Sequence, residues 1–173
     1  MVIWIVGLSG AGKTTIGHAL YENLKIEQKN LVFVDGDEIR ALFCHDQIAD
    51  AYSIAGRRIN AERIQSLCRW LDGQGIDVVC CNLAMFPDIR NSNRYLFSDY
   101  REIFVDVPLS ALMQRDDKGL YQAALCGRLH NVVGVDIEYC HPVAPDLVIH
   151  NSFDASLLPE YISRIRQVCG RGL

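Results

Sequence analysis

The stretch GLSGAGKTTIG, residues 7–17, follows directly on the apolar run VIWIV, and no other feature constrains the chain as strongly. Gly7-x-x-x-x-Gly12-Lys13-Thr14 has the spacing of a loop that cradles phosphates, set in the strand–loop–helix context that the spacing requires. Glycines let backbone N–H groups turn inward around phosphate oxygens, and the helix that follows contributes its positive N-terminal end. Such a chain must form a strand, a tight turn and a helix in immediate succession.

The rest of the chain repeats that alternation. Runs rich in Val and Ile at 2–6, 31–35, 76–82, 101–107 and 146–150 read as five strands. They are continuous rather than alternating, as in strands covered on both faces. Residues 13–28, 56–73, 88–98, 109–116 and 155–169 read as helices, with Ile64, Leu67, Cys68 and Leu71 at helical spacing forming a core stripe. Connections of crossover length between the strands predict an α/β, three-layer P-loop NTPase fold, a five-stranded, mostly parallel sheet flanked by helices. Residues 117–145 break the rhythm: polar, glycine-containing and without periodicity. A stretch of that length in a compact domain is functional or mobile, and a mobile lid is expected over about 115–131.

Composition narrows the class. The 173 residues, half of them hydrophobic, suit one domain spanning 1–173. A net charge of −4 argues against nucleic acid or a membrane surface bound through bulk electrostatics, while leaving room for a local basic pocket. No apolar run approaches the roughly 20 residues of a membrane helix. The N-terminus opens straight into a strand, without the basic-then-apolar order of a signal peptide, so the cytoplasm is the expected compartment. The seven cysteines are odd in number and contain no Cys-x-x-Cys. Cys80 and Cys81 sit in an apolar run, where free cysteine acts as a small hydrophobe. Cys44-His45 and Cys140-His141 each lack the two-plus-two spacing of a zinc site. Reduced, structural cysteines are expected.

The loop itself carries chemistry. Lys13 can reach the β- and γ-phosphates of a nucleoside triphosphate, and the Thr14 hydroxyl suits a magnesium ligand. With Gly7, Ser9, Gly10, Ala11, Gly12 and Thr15 these residues form the expected ATP site. The second strand ends in VDGDEIR, which places Asp35, Asp37 and Arg40 at the sheet's carboxyl edge, where ligands of open α/β sheets gather. A carboxylate there can accept a proton from an attacking hydroxyl or help hold magnesium, and an arginine can pair with an anionic group. A plainer assignment makes Asp37 the cap of a following helix and puts Arg40 on its solvated face.

Taken together, these residues resemble the adenylylsulfate kinases, which phosphorylate the 3′-hydroxyl of adenosine 5′-phosphosulfate. The resemblance runs from about residue 3 to residue 150. GLSGAGKTT resembles the family's GLSGSGKST, VDGDEIR its LDGDNVR, and RDDKGLY the start of its lid; AYSIAGRRIN stands where the family has GFS…DRxEN. The resemblance implies that Asp35 assists the 3′-hydroxyl, with Lys13 as its catalytic partner on the phosphates. It implies that Arg40, Arg57 and Asn60 grip the acceptor's 5′-linked anion and ribose, and that Tyr52 stacks on the base. Arg115 and Lys118 match lid groups that approach the phosphates, and a homodimer is implied as well.

The departures fall on the acceptor side. The family's FTGID reads VVGVD, so Val132 replaces the second aromatic of the base clamp; FISP reads LAMFP; and GRRIN brings Gly56 and Ile59. The expected activity is transfer of the γ-phosphate of ATP to the 3′-hydroxyl of a 5′-diphosphate-like nucleotide, adenylylsulfate first. Cytidine diphosphoramidate, the acceptor of relatives in capsule phosphoramidate synthesis, is the close rival, since a smaller base suits Tyr52 paired with Val132. A non-catalytic nucleotide sensor is the alternative from another class.

Overall fold

The computed structural model describes residues 1–116 and 118–170; Asp117 of the expected lid and residues 171–173 of the expected domain lie outside the described residues. Five strands, β1 (Val2–Val6), β2 (Leu31–Asp35), β3 (Asp77–Asn82), β4 (Tyr100–Asp106) and β5 (Leu147–His150), form one sheet in the order β2-β3-β1-β4-β5. Every pairing is parallel, so the expected mostly parallel sheet is wholly parallel. All five residues of β1 are buried, as a central strand with helices on both faces requires.

Two helix layers cover the sheet. α1 (Lys13–Lys25) packs with α7 (Leu158–Val168), while α2 (Gly36–Leu42), α3 (Ile54–Asp72) and α4 (Pro87–Leu96) form a second contiguous group. The adjacent cysteines of β3 show how strand alternation serves both layers. Cys80 meets Cys68 of α3, and Cys81 meets α1 at Gly17, where an added Cβ would lie 2.2 Å from Cys81 Sγ. Glycine at 17 thus brings α1 down onto the sheet, and the protonated Cys81 thiol, its pKa pushed up by burial, donates to the Lys13 carbonyl at 3.3 Å. Cys68, Cys80, Cys81 and Cys169 are buried, but Cys44, Cys126 and Cys140 are exposed, so the expectation of structural cysteines fits only the first four.

Several helix boundaries differ from the periodicity. The α1 segment ends at Lys25, and the last helix begins as a 3-10 turn at Ala155–Leu157 before α7. Two short α-helices were not marked by the periodicity. One is α2, whose start is set by Asp35 rather than by an apolar stripe. The other is α6 (Leu120–Leu125), which follows α5 (Leu109–Arg115) inside the supposedly aperiodic segment. No described helix is long and apolar enough to cross a membrane.

Candidate active site

Strand polarity delivers the chemistry to one edge: β1 runs into Gly7, β2 ends at Asp35, and β5 is followed by Asn151. The loop from Gly7 to Gly12 takes conformations that favour glycine, with φ of +77° at Gly10 and +93° at Gly12. Lys13 Nζ donates to the Leu8 carbonyl at 2.7 Å, folding the lysine back over its own loop. Desolvation lowers its pKa, against the opposing pull of Asp37 and Asp35. Thr14 Oγ1 donates to Asp35 Oδ2 at 2.8 Å, joining the phosphate loop to the end of β2. Thr15 is exposed one residue further on.

Asp35, not Asp37, caps α2: its Oδ1 accepts from the Asp37 N–H at 2.9 Å. Asp37 lies exposed in the first turn, with Lys118 Nζ 3.7 Å from its carboxylate. Gly36 permits the turn, since a Cβ there would come within 3.1 Å of Asn82 Cβ. The plainer assignment for Arg40 fails too. Its side chain is 7% exposed rather than solvated, donates from Nη1 to the Ala51 carbonyl at 2.7 Å, and leaves Nε without a partner among the described residues.

Tyr52 gathers the two arginines. The Arg40 guanidinium lies 4.7 Å and that of Arg57 5.5 Å from the centre of its ring. Arg57 also donates to the Tyr52 carbonyl from Nε and to the Asn131 carbonyl from Nη2, both at 2.8 Å. Burial, and next the Arg40 charge, lower its pKa. Buried Asn60 donates to the Gly36 carbonyl at 3.2 Å, and its Oδ1 has no partner among the described residues. Gly56 explains one departure noted above. A Cβ at 56 would lie 2.1 Å from the Asp50 carbonyl oxygen and 2.8 Å from that of Ala51, so a side chain is incompatible with this loop path. Buried His45, 2.9 Å from the Gly56 carbonyl, fastens the same loop to α3.

Val132 is 2% exposed and packs in the core. Its neighbour Asn131 is what reaches Arg57, and the Asp136 carboxylate accepts from the N–H groups of both. Arg115 lies over the Phe153 ring at 4.1 Å. Three contributors escaped the sequence reading. Tyr121 donates its hydroxyl to the Ser9 carbonyl, Asn151 donates to the Ala11 carbonyl, both at 2.8 Å, and Phe153 supports Arg115. The KGLY resemblance held the signal for Tyr121; nothing local marked Asn151.

A family model described as adenylylsulphate kinase matches residues 1–150. Among curated proteins, the cytidine diphosphoramidate kinase of Campylobacter jejuni is 46% identical over 151 residues, covering 87% of this chain and 86% of that one. The adenylyl-sulfate kinase of Aeromonas salmonicida is 34% identical over 171 residues, covering 96% and 86%. Among solved structures, the Mycobacterium tuberculosis APS kinase CysC in complex with AMPPNP and APS superposes with a TM-score of 0.83 at 27% identity, covering 98% of this chain and 96% of that one. The chain belongs to the adenylylsulphate kinase family, with its P-loop kinase fold, and is an ATP-dependent phosphotransferase acting on a nucleotide hydroxyl.

Proposed function

We propose that this enzyme transfers the γ-phosphate of ATP to the 3′-hydroxyl of adenosine 5′-phosphosulfate. The observation that carries the reading is the position of Asp35. One of its oxygens holds Thr14 of the phosphate loop, and the other caps the helix that carries Arg40. A carboxylate at that junction stands between donor and acceptor, placed to take the proton of the attacking hydroxyl. Arg40 and Arg57, gathered on Tyr52, supply a base platform and a two-arginine grip for a 5′-linked anion. Phosphoryl transfer is catalysed mostly by positioning and by cations around the moving group, and Lys13, Arg115 and Lys118 are the cations on offer. An entering phosphate would take Lys13 from the Leu8 carbonyl and add countercharge beside its desolvated ammonium.

Thr14 Oγ1 and Asp35 Oδ2 are hard oxygen donors 2.8 Å apart, a donor set that fits magnesium, with Thr14 as the ligand. Magnesium bound there would neutralise charge on the nucleotide's phosphates. A homodimer, implied by the family resemblance, and a cytoplasmic location, expected from the N-terminal sequence and the cysteine pattern, complete the reading.

A second reading keeps the mechanism and changes the acceptor to cytidine diphosphoramidate. Two observations favour it: the 46% identity to a kinase of that name, and Val132 where the family has an aromatic. The deciding experiment offers ATP with each acceptor in turn and identifies the product. The first reading expects a higher kcat/KM for adenylylsulfate, with phosphate on its 3′-oxygen. Preference for cytidine diphosphoramidate would establish the second, and ATP consumption that neither acceptor stimulates would overturn both.

A further inference from the structure

Glycines give the phosphate loop its shape and also its weakness. A peptide plane between a residue and a following glycine can flip by rotating one ψ and one φ, and glycine tolerates both senses of φ. Two such planes matter here, Ser9–Gly10 and Ala11–Gly12. In a trans peptide the C=O and the following N–H point in opposite directions. Fixing the carbonyl therefore aims the N–H.

Both carbonyls are fixed from outside the loop. The Ser9 oxygen accepts from Tyr121 Oη and the Ala11 oxygen from Asn151 Nδ2, each at 2.8 Å. Both donors are themselves held. Tyr121 is 2% exposed, its N–H and that of Gln122 are received by the Asp116 carboxylate, and burial pushes its phenol up to about 12, so it stays a donor. Asn151 uses its Oδ1 to accept from the Phe153 N–H, which orients the amide with Nδ2 toward the loop. The fit at Asn151 is tight, since a Cβ on Gly12 would lie 2.4 Å from Nδ2.

We propose that Tyr121 and Asn151 are positioning residues for the donor nucleotide: from the lid and from the end of β5, they turn the Ser9 and Ala11 carbonyls outward and so aim the Gly10 and Gly12 N–H groups at the phosphates of ATP. Because Tyr121 stands on α6, within the segment expected to form the lid, docking of that segment and completion of the phosphate cradle are one event. The inference rests on the kinase reading of this loop.

The test is calorimetric binding of a non-hydrolysable ATP analogue with magnesium to the full-length wild type, Tyr121→Phe, Asn151→Ala and the double variant, with steady-state KM values for both substrates. Tyr121→Phe removes one oxygen and keeps the ring. Each single variant is expected to bind the analogue about 3- to 10-fold more weakly, the worth of one hydrogen bond. The losses should multiply in the double variant, because different peptides are released, while the acceptor KM stays unchanged. Wild-type affinity for the analogue in both single variants would overturn the proposal, as would equal weakening of ATP and acceptor. A wild type that bound no analogue would instead overturn the kinase reading itself.

Discussion

The two halves of the site are held in opposite ways. The phosphate loop depends on side chains far off in the chain: its carbonyls are pinned by residues 112 and 140 positions away. The acceptor half is held mostly by itself. Arg40 reaches Ala51 across 11 positions, His45 reaches Gly56 across 11, and Arg57 reaches Tyr52 across 5. The Arg57 bond to Asn131, spanning 74 positions, ties that pocket to the end of the segment expected to form the lid. A cradle pinned from distant parts of the chain needs the whole fold in place, whereas a pocket closed by local contacts, such as those of Gly56 with Asp50 and Ala51, can be altered with less disturbance elsewhere.

The strongest way to break this division is at Lys13. Lys13→Ala removes the charge that faces the phosphates, and kcat/KM for ATP should fall by roughly 10²- to 10³-fold while acceptor binding, measured separately, persists. Parallel loss of acceptor binding would mean that the halves are not separable. Asp35 stands at the junction. Asp35→Asn keeps an oxygen for the α2 cap but no longer accepts a proton, so kcat should drop by about 10²-fold with little change in acceptor KM. A change confined to KM would make Asp35 a binding residue.

Smaller effects sharpen the acceptor half. Arg57→Lys loses the planar fork that serves the Tyr52 and Asn131 carbonyls together, and the acceptor KM should rise about 10-fold with the ATP KM intact. Val132→Phe should give the smallest effect. The side chain is buried, so overpacking offsets part of the stacking gained, and the ratio of kcat/KM for adenylylsulfate over cytidine diphosphoramidate should rise by up to roughly 10-fold. A ratio that stays put would remove Val132 from the account of base preference.

Legibility followed the same division. The strands were readable because parallel strands covered on both faces are continuous apolar runs, and Val2–Val6 and Leu31–Asp35 fall where the pattern puts them. The phosphate loop was readable because its chemistry demands fixed residue types at fixed spacing. Helix α2 was not, since seven residues started by a carboxylate cap show no amphipathic period, and α6 with six is shorter still. Asn151 was illegible in principle. Its importance lies in reaching Ala11 across the sheet edge, and no local pattern encodes a contact made 140 positions away. The inward turn of Arg40 was equally hidden, because an arginine at the fifth position of a seven-residue helix looks solvated until the Ala51 carbonyl and the Tyr52 ring are seen to receive it.

The separation of the two halves can be measured directly by calorimetry on Lys13→Ala and Arg57→Lys, titrating each variant with the ATP analogue and, in separate runs, with the preferred acceptor. The account predicts a crossover. Lys13→Ala should lose the analogue and keep the acceptor, and Arg57→Lys should keep the analogue and lose acceptor affinity. Comparable loss of both ligands in both variants would contradict it.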